Sequence, residues 1–367
     1  MPAAAAARVI PWVEELLNFG HDTLVFSSKS VSENNGRVLR SFFVTPSNKS
    51  SLGKRLFQEV LLGIDLGIKI WKNRKSCKSC FITSPPFFMA FICALFCKFS
   101  KVPFVFDVRD RYPRVLADLD AINESTLIFK FLSFVECWIY RNATQITTVT
   151  EGLKDELKVQ FPDLNICLLR NGFDENLFTD DLLSLPKRAN FTVVYHGRLG
   201  RFYDDAVYLD IMQLVYQLDS SIRFLMIGDF PKDFSSKRPK NLEFLPAVPL
   251  QDLSKLLNSC HLGICFLREL PAMKNAFPAK AYDYIGAGLS ILAGPSGELT
   301  DMVDKMGIGV TFAKICPQSV AHKIVEMKNN QLLRSKMSTA IKKNRMNFGR
   351  RKIAKTYFAN EFLLSVK

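Results

Sequence analysis

Apolar positions recur at helical spacing over residues 9–20, break at Gly20-His21, and continue as a short apolar run over 22–28 of the kind a buried strand shows. The same reading predicts a helix over 52–72, a strand over 80–83, a helix over 88–99, a strand over 103–108, a helix over 127–140 and a strand over 145–149. After Asn171-Gly172 the rhythm restarts. Strands are expected over 191–195, 223–227, 242–245, 262–266 and 290–293, with helices over 204–217, 250–258 and 280–286. From about Gln318 the pattern becomes two or three charged amphipathic helices, the last over 347–367, while the alanine run 3–7 opens the first helix. Alternating helices and short apolar strands imply parallel sheets covered by helices on both faces, an α/β class. Ligands of such sheets bind beyond the carboxyl ends of the strands, so motifs at those positions carry most weight.

A chain of 367 residues predicts two units of roughly 100–200 residues each. The restart divides it into 1–168 and 169–345, followed by a C-terminal helix over 346–367. A doubly wound domain normally opens on a strand and a glycine-rich turn. This chain starts almost directly in a helix, so that first strand and turn are expected to be missing from the sequence.

Composition adds little to the fold and more to the setting. Lys and Arg number 49 against 35 Asp and Glu, and the resulting +14 attracts phosphates, nucleic acid or an anionic membrane face without choosing among them. Nine irregularly spaced cysteines and no secretory signal point to a reducing compartment, the cytosol. The apolar run FFMAFICALFC over 87–97 falls short of the ~20 residues that cross a bilayer, so it reads as a buried helix. Cys77, Cys80, Cys93 and Cys97 form two close pairs that suit either zinc or, the favoured reading, reduced thiols on a loop and a core helix. His21, His196, His261 and His322 show no metal-ligand spacing, and neither a metal nor a cofactor is expected.

Three segments carry candidate chemistry in the second half. Strand 191–195 runs into His196-Gly197-Arg198-Leu199-Gly200-Arg201, where two guanidinium groups and bare backbone suit a diphosphate; the alternative is a tight turn with solvated arginines. Phe277-Pro278-Ala279-Lys280-Ala281-Tyr282-Asp283 begins a helix that closes at Gly286-Ala287-Gly288. Lys280 and Asp283 share one face there, as a phosphate and ribose pair or as an ordinary helical ion pair. Gly294-Pro295-Ser296-Gly297-Glu298 joins strand to helix and offers backbone N–H groups to an anion, or is only a loop. In the first half, strand 103–108 ends in Asp107-Val108-Arg109-Asp110-Arg111-Tyr112-Pro113. Asp110 is a candidate to orient an acceptor hydroxyl or take its proton, and a structural network between Arg109 and Asp110 is the rival reading.

In their order, these segments resemble glycosyltransferase family 4 over nearly the whole chain. NFGHDTLVFS is similar to that family's first helix-to-strand passage and RNGFDENLF to its interdomain segment. The resemblance implies the GT-B fold, two doubly wound Rossmann-like domains facing each other across a cleft, with the C-terminal helix crossing back to the first. It implies a retaining transfer from a UDP- or GDP-linked sugar in which the leaving diphosphate helps deprotonate the acceptor. By the same resemblance Gly197, Arg198, Arg201, Lys280, Gly297 and Glu298 fall at the donor, and Asp283 at its ribose. Asn275 stands where many members carry a sugar-side glutamate, and Arg109 where many carry a histidine, so those roles do not transfer.

The expected activity is therefore sugar transfer in cell-surface polysaccharide or lipid-linked glycan assembly, to a glycan or lipid-linked acceptor. Arg109, Asp110, Arg198, Arg201 and Lys280 form the catalytic set. Excess basic charge and apolar first-domain helices imply peripheral contact with an anionic membrane at its cytoplasmic face. The rivals are a transferase-like protein without activity and a basic nucleic-acid-binding protein. The second lacks a recognition motif beyond the basic stretch 342–352, and no nucleic acid is expected.

Overall fold

The structure, a computed structural model, describes residues 4–28, 37–44, 52–230 and 239–362. The chain forms two compact units, Pro2–Arg170 with Ile353–Lys367, and Asn171–Lys352.

The first unit runs α1 (Ala4–Asn18), β1 (Leu24–Ser27), β2 (Arg37–Arg40), α2 (Leu52–Asn73), β3 (Cys80–Ser84) and α3 (Phe87–Phe99). It continues with β4 (Phe104–Val108), α4 (Arg114–Asp118), α5 (Leu127–Asn142), β5 (Gln145–Thr148), α6 (Glu151–Gln160) and β6 (Ile166–Leu168). All pairings are parallel. β3, β4, β5 and β6 form one sheet, and among the described residues β1 pairs only with β2, as a separate two-stranded ribbon. β4 and β5 are buried along their whole length, although Asp107 of β4 and Gln145, Thr147 and Thr148 of β5 are polar. Leu62, Leu66 and Ile70 of α2, Ala90, Cys93 and Cys97 of α3, and Leu132, Val135 and Ile139 of α5 fill one face of this core. A Cβ at Gly67 would stand 2.2 Å from the Phe96 ring, so only glycine lets α2 lie this close to α3. Thr126 and Thr150 cap α5 and α6 by accepting from backbone N–H groups at the first turn. Trp12, Leu169, Tyr357 and Phe358 form a second cluster.

The second unit runs β7 (Thr192–His196), α7 (Asp205–Leu218), β8 (Arg223–Ile227), β9 (Leu242–Leu245), α8 (Leu250–Ser259), β10 (Leu262–Phe266), α9 (Pro271–Lys274) and α10 (Ala279–Gly286). After these come β11 (Ser290–Gly294), α11 (Glu298–Met306), β12 (Gly309–Thr311), α12 (Pro317–Asn329), α13 (Gln331–Asn344) and α14 (Arg350–Tyr357), whose last residues belong to the first unit. The six strands lie parallel in the order β12-β11-β10-β7-β8-β9. Val194 faces one core with Leu225 and Tyr284, while Val193 and Tyr195 face the other with Phe224 and Met212. The chain winds outward in both directions from β7, so the switch point of the sheet lies between β7 and β10.

Some expectations need correction. The closing helix predicted over 347–367 is instead a 3-10 turn Arg345–Phe348, then α14, then a π turn Phe358–Phe362; residues 363–367 lie outside those described, as does Ala3 of the alanine run. Strands β2, β6 and β12 and helix α6 were not anticipated, the last two of these strands being only three residues long. All nine cysteines are free thiols, and among the described residues no cluster of His, Cys, Asp and Glu is arranged to hold a metal.

Candidate donor site

The carboxyl ends of β7 and β8 are made of bare backbone. Gly197 and Gly228 sit at φ +101° and +141°, and a Cβ at Gly228 would stand 2.3 Å from the Gly197 carbonyl oxygen. Only glycine reconciles that φ with that approach. The result is an edge, beside the switch point, where two glycines leave the backbone uncovered by side chains of their own.

Lys280, the second residue of α10, points at this edge. Its stem lies 3.9 Å from where a Gly197 Cβ would be, and its Nζ sits 3.6 Å from the Tyr195 ring centroid and 3.8 Å from that of Tyr203. The side chain is buried, and Nζ has no hydrogen-bond partner. Burial pushes its pKa from 10.5 down to about 7, with Cys265 pulling the other way. The lysine is not solvent-facing: the ammonium is held between two aromatic faces and lacks an anion. An unpaired buried cation is costly, and two cation–π contacts recover only part of what water would supply.

Asp283 follows one turn later. Burial raises its carboxyl from 3.8 to about 7, Arg350 opposing and Asp174 reinforcing the rise. His196 Nε2 lies 3.4 Å from Asp283 Oδ2, but burial and then Lys280 hold the imidazole down at about 3. The histidine is thus neutral near pH 7 and the contact is no ion pair. Lys280 and Asp283 likewise form no ion pair with each other, contrary to the alternative read from their spacing.

Arg198 and Arg201 lie on the loop after β7 that also brings Tyr203 over Lys280. Both are exposed, and their guanidinium groups make no ion pair or hydrogen bond with the described residues. Their backbones are fixed instead: the Tyr195 hydroxyl donates to the Arg198 carbonyl at 3.0 Å, and Arg268 donates to the Arg201 carbonyl at 3.4 Å. Asn275 follows α9, beyond β10, and Gly297 caps α11, beyond β11. Their loops touch, since a Cβ at Gly297 would be 2.5 Å from the Lys274 carbonyl oxygen. Asn275 and Glu298 both hold partners already. The expected anion cradle in this loop is partly closed. The Gly297 N–H donates to Thr300 Oγ1 at 2.8 Å, and the Ser296 N–H donates to the Ala313 carbonyl at 3.2 Å.

The segment Asp107–Pro113 of the first unit separates into two kinds of residue. Asp107 is fully buried and accepts from Arg8, Thr83 and Thr147. Arg111 pairs with Glu136 at 3.0 Å and Glu156 at 2.8 Å. Asp107 thus ties α1, β3 and β5 to β4, and Arg111 ties the loop after β4 to α5 and α6. Arg109 and Asp110 stand outside that network: Arg109 Nε is buried without a partner, and Asp110 keeps an exposed face while the protein around it pushes its carboxyl upward and Arg109 pulls it down. Tyr195, Tyr203, His196 and Gly228 are the site residues that sequence reasoning did not assign. The only trace of them was the presence of His196 in the quoted motif.

No family model matches the chain, and no curated protein does either. Solved structures do. HepE of Anabaena in complex with UDP is similar at a TM-score of 0.70, covering 100% of this chain and 97% of that one with 14% identity. Sucrose-phosphate synthase from Thermosynechococcus elongatus gives 0.70 with coverages of 97% and 92% at 14% identity. A glycosyltransferase from Rickettsia africae gives 0.67 with 100% and 96% at 13%. The fold is GT-B. At such identities the likeness establishes the fold alone, and the chemistry has to come from this chain's own residues.

Proposed function

We propose that the chain is a retaining glycosyltransferase that moves a sugar from a UDP- or GDP-linked donor to a glycan or lipid-linked acceptor in cell-surface polysaccharide assembly. The nine free thiols fit a reducing, cytoplasmic setting. Lys280 carries the reading, as a buried ammonium without a partner at the switch point of a doubly wound sheet. The HepE structures hold UDP and UDP-glucose, which supports a ligand of the same class here.

In this mechanism the diphosphate lies over Gly197 and Gly228. Lys280 and the N-terminus of α10 meet its charge from below, and Arg198 and Arg201 close on it from the loop with paired, charge-assisted hydrogen bonds. These groups stabilise the negative charge that grows on the diphosphate as the sugar departs, the term that usually dominates such catalysis. Asp283, once ionised, accepts from the ribose hydroxyls. The acceptor oxygen bonds to the anomeric carbon on the face from which the sugar–diphosphate bond breaks, its proton passing to the departing phosphate oxygen, so configuration is retained. Asp110 and Arg109 of the first unit are assigned to the acceptor.

Thermal-shift and calorimetric titration with UDP, GDP and ADP tests the reading. A nucleoside diphosphate that stabilises the protein in proportion to occupancy supports it, and no response to any of them refutes it. Asn275, an amide where the resemblance leads one to expect a carboxylate, favours a second reading as a binding protein without transfer. Nucleotide binding with no donor hydrolysis would select that one.

A further inference from the structure

The helical layer over the first unit's sheet carries a series of exposed apolar side chains. On α2, Phe57, Leu61, Ile64, Ile68 and Trp71 follow at spacings of four and three, a straight stripe along the helix. Phe57 is 64% exposed and Trp71 49%. Lys54 stands one turn before the stripe and Lys75 one turn after it, both exposed. Helix α5 repeats the design with exposed Leu127, Phe131 and Phe134, closed by exposed Arg141, while Trp138 packs edge-on against Phe91 of α3. Leu127 is 83% exposed and Phe134 67%. Between them α3, packed on both, ends in exposed Phe99. The inward sides of all three helices are spent on the core, so both stripes face away from it.

The charges on this layer are one-sided. Each carboxylate of the three helices is paired: Glu59 with Arg55, Asp65 with Lys69, and Glu136 with Arg111. Lys54, Lys72, Lys98, Lys130 and Arg141 are exposed and make no ion pair with the described residues. An exposed apolar face of this extent, rimmed by unpaired cations, marks an interaction surface. Its chemistry fits anionic lipid. The same cationic rim opposes pairing with a second copy, because like charges would be brought face to face.

We propose that this face docks on an anionic bilayer, the aromatic and aliphatic stripes entering the boundary between headgroups and acyl chains while the lysines and Arg141 meet lipid phosphates. No helix among the described residues is long and apolar enough to cross a membrane, so attachment is interfacial. The surface belongs to the first unit alone and stands independently of the donor site.

Flotation of the full chain with phosphatidylcholine vesicles, with and without phosphatidylglycerol, tests this. The chain is expected to float with the phosphatidylglycerol vesicles and to be released as salt is raised. Phe57→Ser and Phe134→Ser are each expected to weaken partition roughly tenfold, the effect of taking one aromatic side chain out of the interface. Both residues are exposed, and unchanged thermal unfolding would show that the fold is kept. Nucleoside diphosphate affinity measured on the same variants separates loss of docking from loss of the donor site. Absence of wild-type flotation, or flotation indifferent to both substitutions, would overturn the proposal. So would sedimentation showing a dimer that the substitutions dissolve, since the occupant would then be a second copy.

Discussion

Replacing Lys280 by methionine is expected to stabilise the unliganded protein and to weaken its hold on a diphosphate. Methionine keeps an unbranched stem between Tyr195 and Tyr203 and removes the stranded ammonium. A pKa lowered from 10.5 to about 7 corresponds to roughly 4 kcal/mol of burden on the folded state at pH 7. Loss of the cation–π contacts returns roughly 1–2 kcal/mol of that. The net gain of about 2–3 kcal/mol should raise the melting temperature of the second unit by roughly 5–10 °C. The folded value lies below the unfolded one, so the burden is complete below about pH 7 and disappears as pH climbs towards 10.5. The advantage of Lys280→Met should shrink over that window. Diphosphate affinity should fall about 10- to 100-fold at pH 7, as expected for a lost charge-assisted hydrogen bond of roughly 1.5–3 kcal/mol. Calorimetric unfolding from pH 6 to pH 10, with and without UDP or GDP, measures both effects. A variant less stable than wild type at pH 7, or one whose nucleotide affinity is unchanged, would refute the reasoning.

Other perturbations give separate checks. Asp283 has a folded value raised to about 7, so its stabilising contribution is present below about pH 4 and is lost as pH rises to 7; Asp283→Asn should flatten that slope in urea titrations and leave the variant the more stable form at pH 8. Arg8→Met would leave Asp107 buried without its cation, and a loss of roughly 3–5 kcal/mol is expected in denaturant unfolding of the first unit. Gly228→Ala drives a methyl group against the Gly197 carbonyl at a positive φ; reduced stability together with weakened nucleotide binding is expected, and a neutral result would contradict the description of that edge. Arg201→Ala should change unfolding stability by less than about 0.5 kcal/mol while weakening nucleotide binding, because its exposed guanidinium has no partner in the free protein.

Much of the architecture was legible because most of its strands are short, mainly apolar runs bounded by glycine, proline or polar residues. β8, β9 and β10 begin and end where the pattern put them. β12 escaped because three half-buried residues, Gly309–Thr311, show no period. The segregation of β1 and β2 from β3 could not be seen, since the choice of hydrogen-bond partner among strands distant in sequence leaves no local trace. At the candidate site the motifs fall on loops beyond the carboxyl ends of strands, but residue type did not show the states of their side chains. Lys280 looks like any lysine near a helix start, and its burial depends on Tyr195 and Tyr203 arriving from a segment far away in sequence. Within Asp107–Pro113, residue type alone could not show that Asp107 and Arg111 are consumed by structure while Arg109 and Asp110 are left over.

The most direct test of the account is calorimetric titration of UDP or GDP into the wild-type protein at pH 8, in two buffers of different ionisation enthalpy. At that pH Asp283 is already ionised and Lys280 is mainly the neutral amine, so a diphosphate that seats against Nζ must draw in a proton. The account predicts uptake of about one proton per nucleotide, abolished by Lys280→Met. Binding with no proton uptake, or with the same uptake in that variant, would show that the diphosphate lies elsewhere.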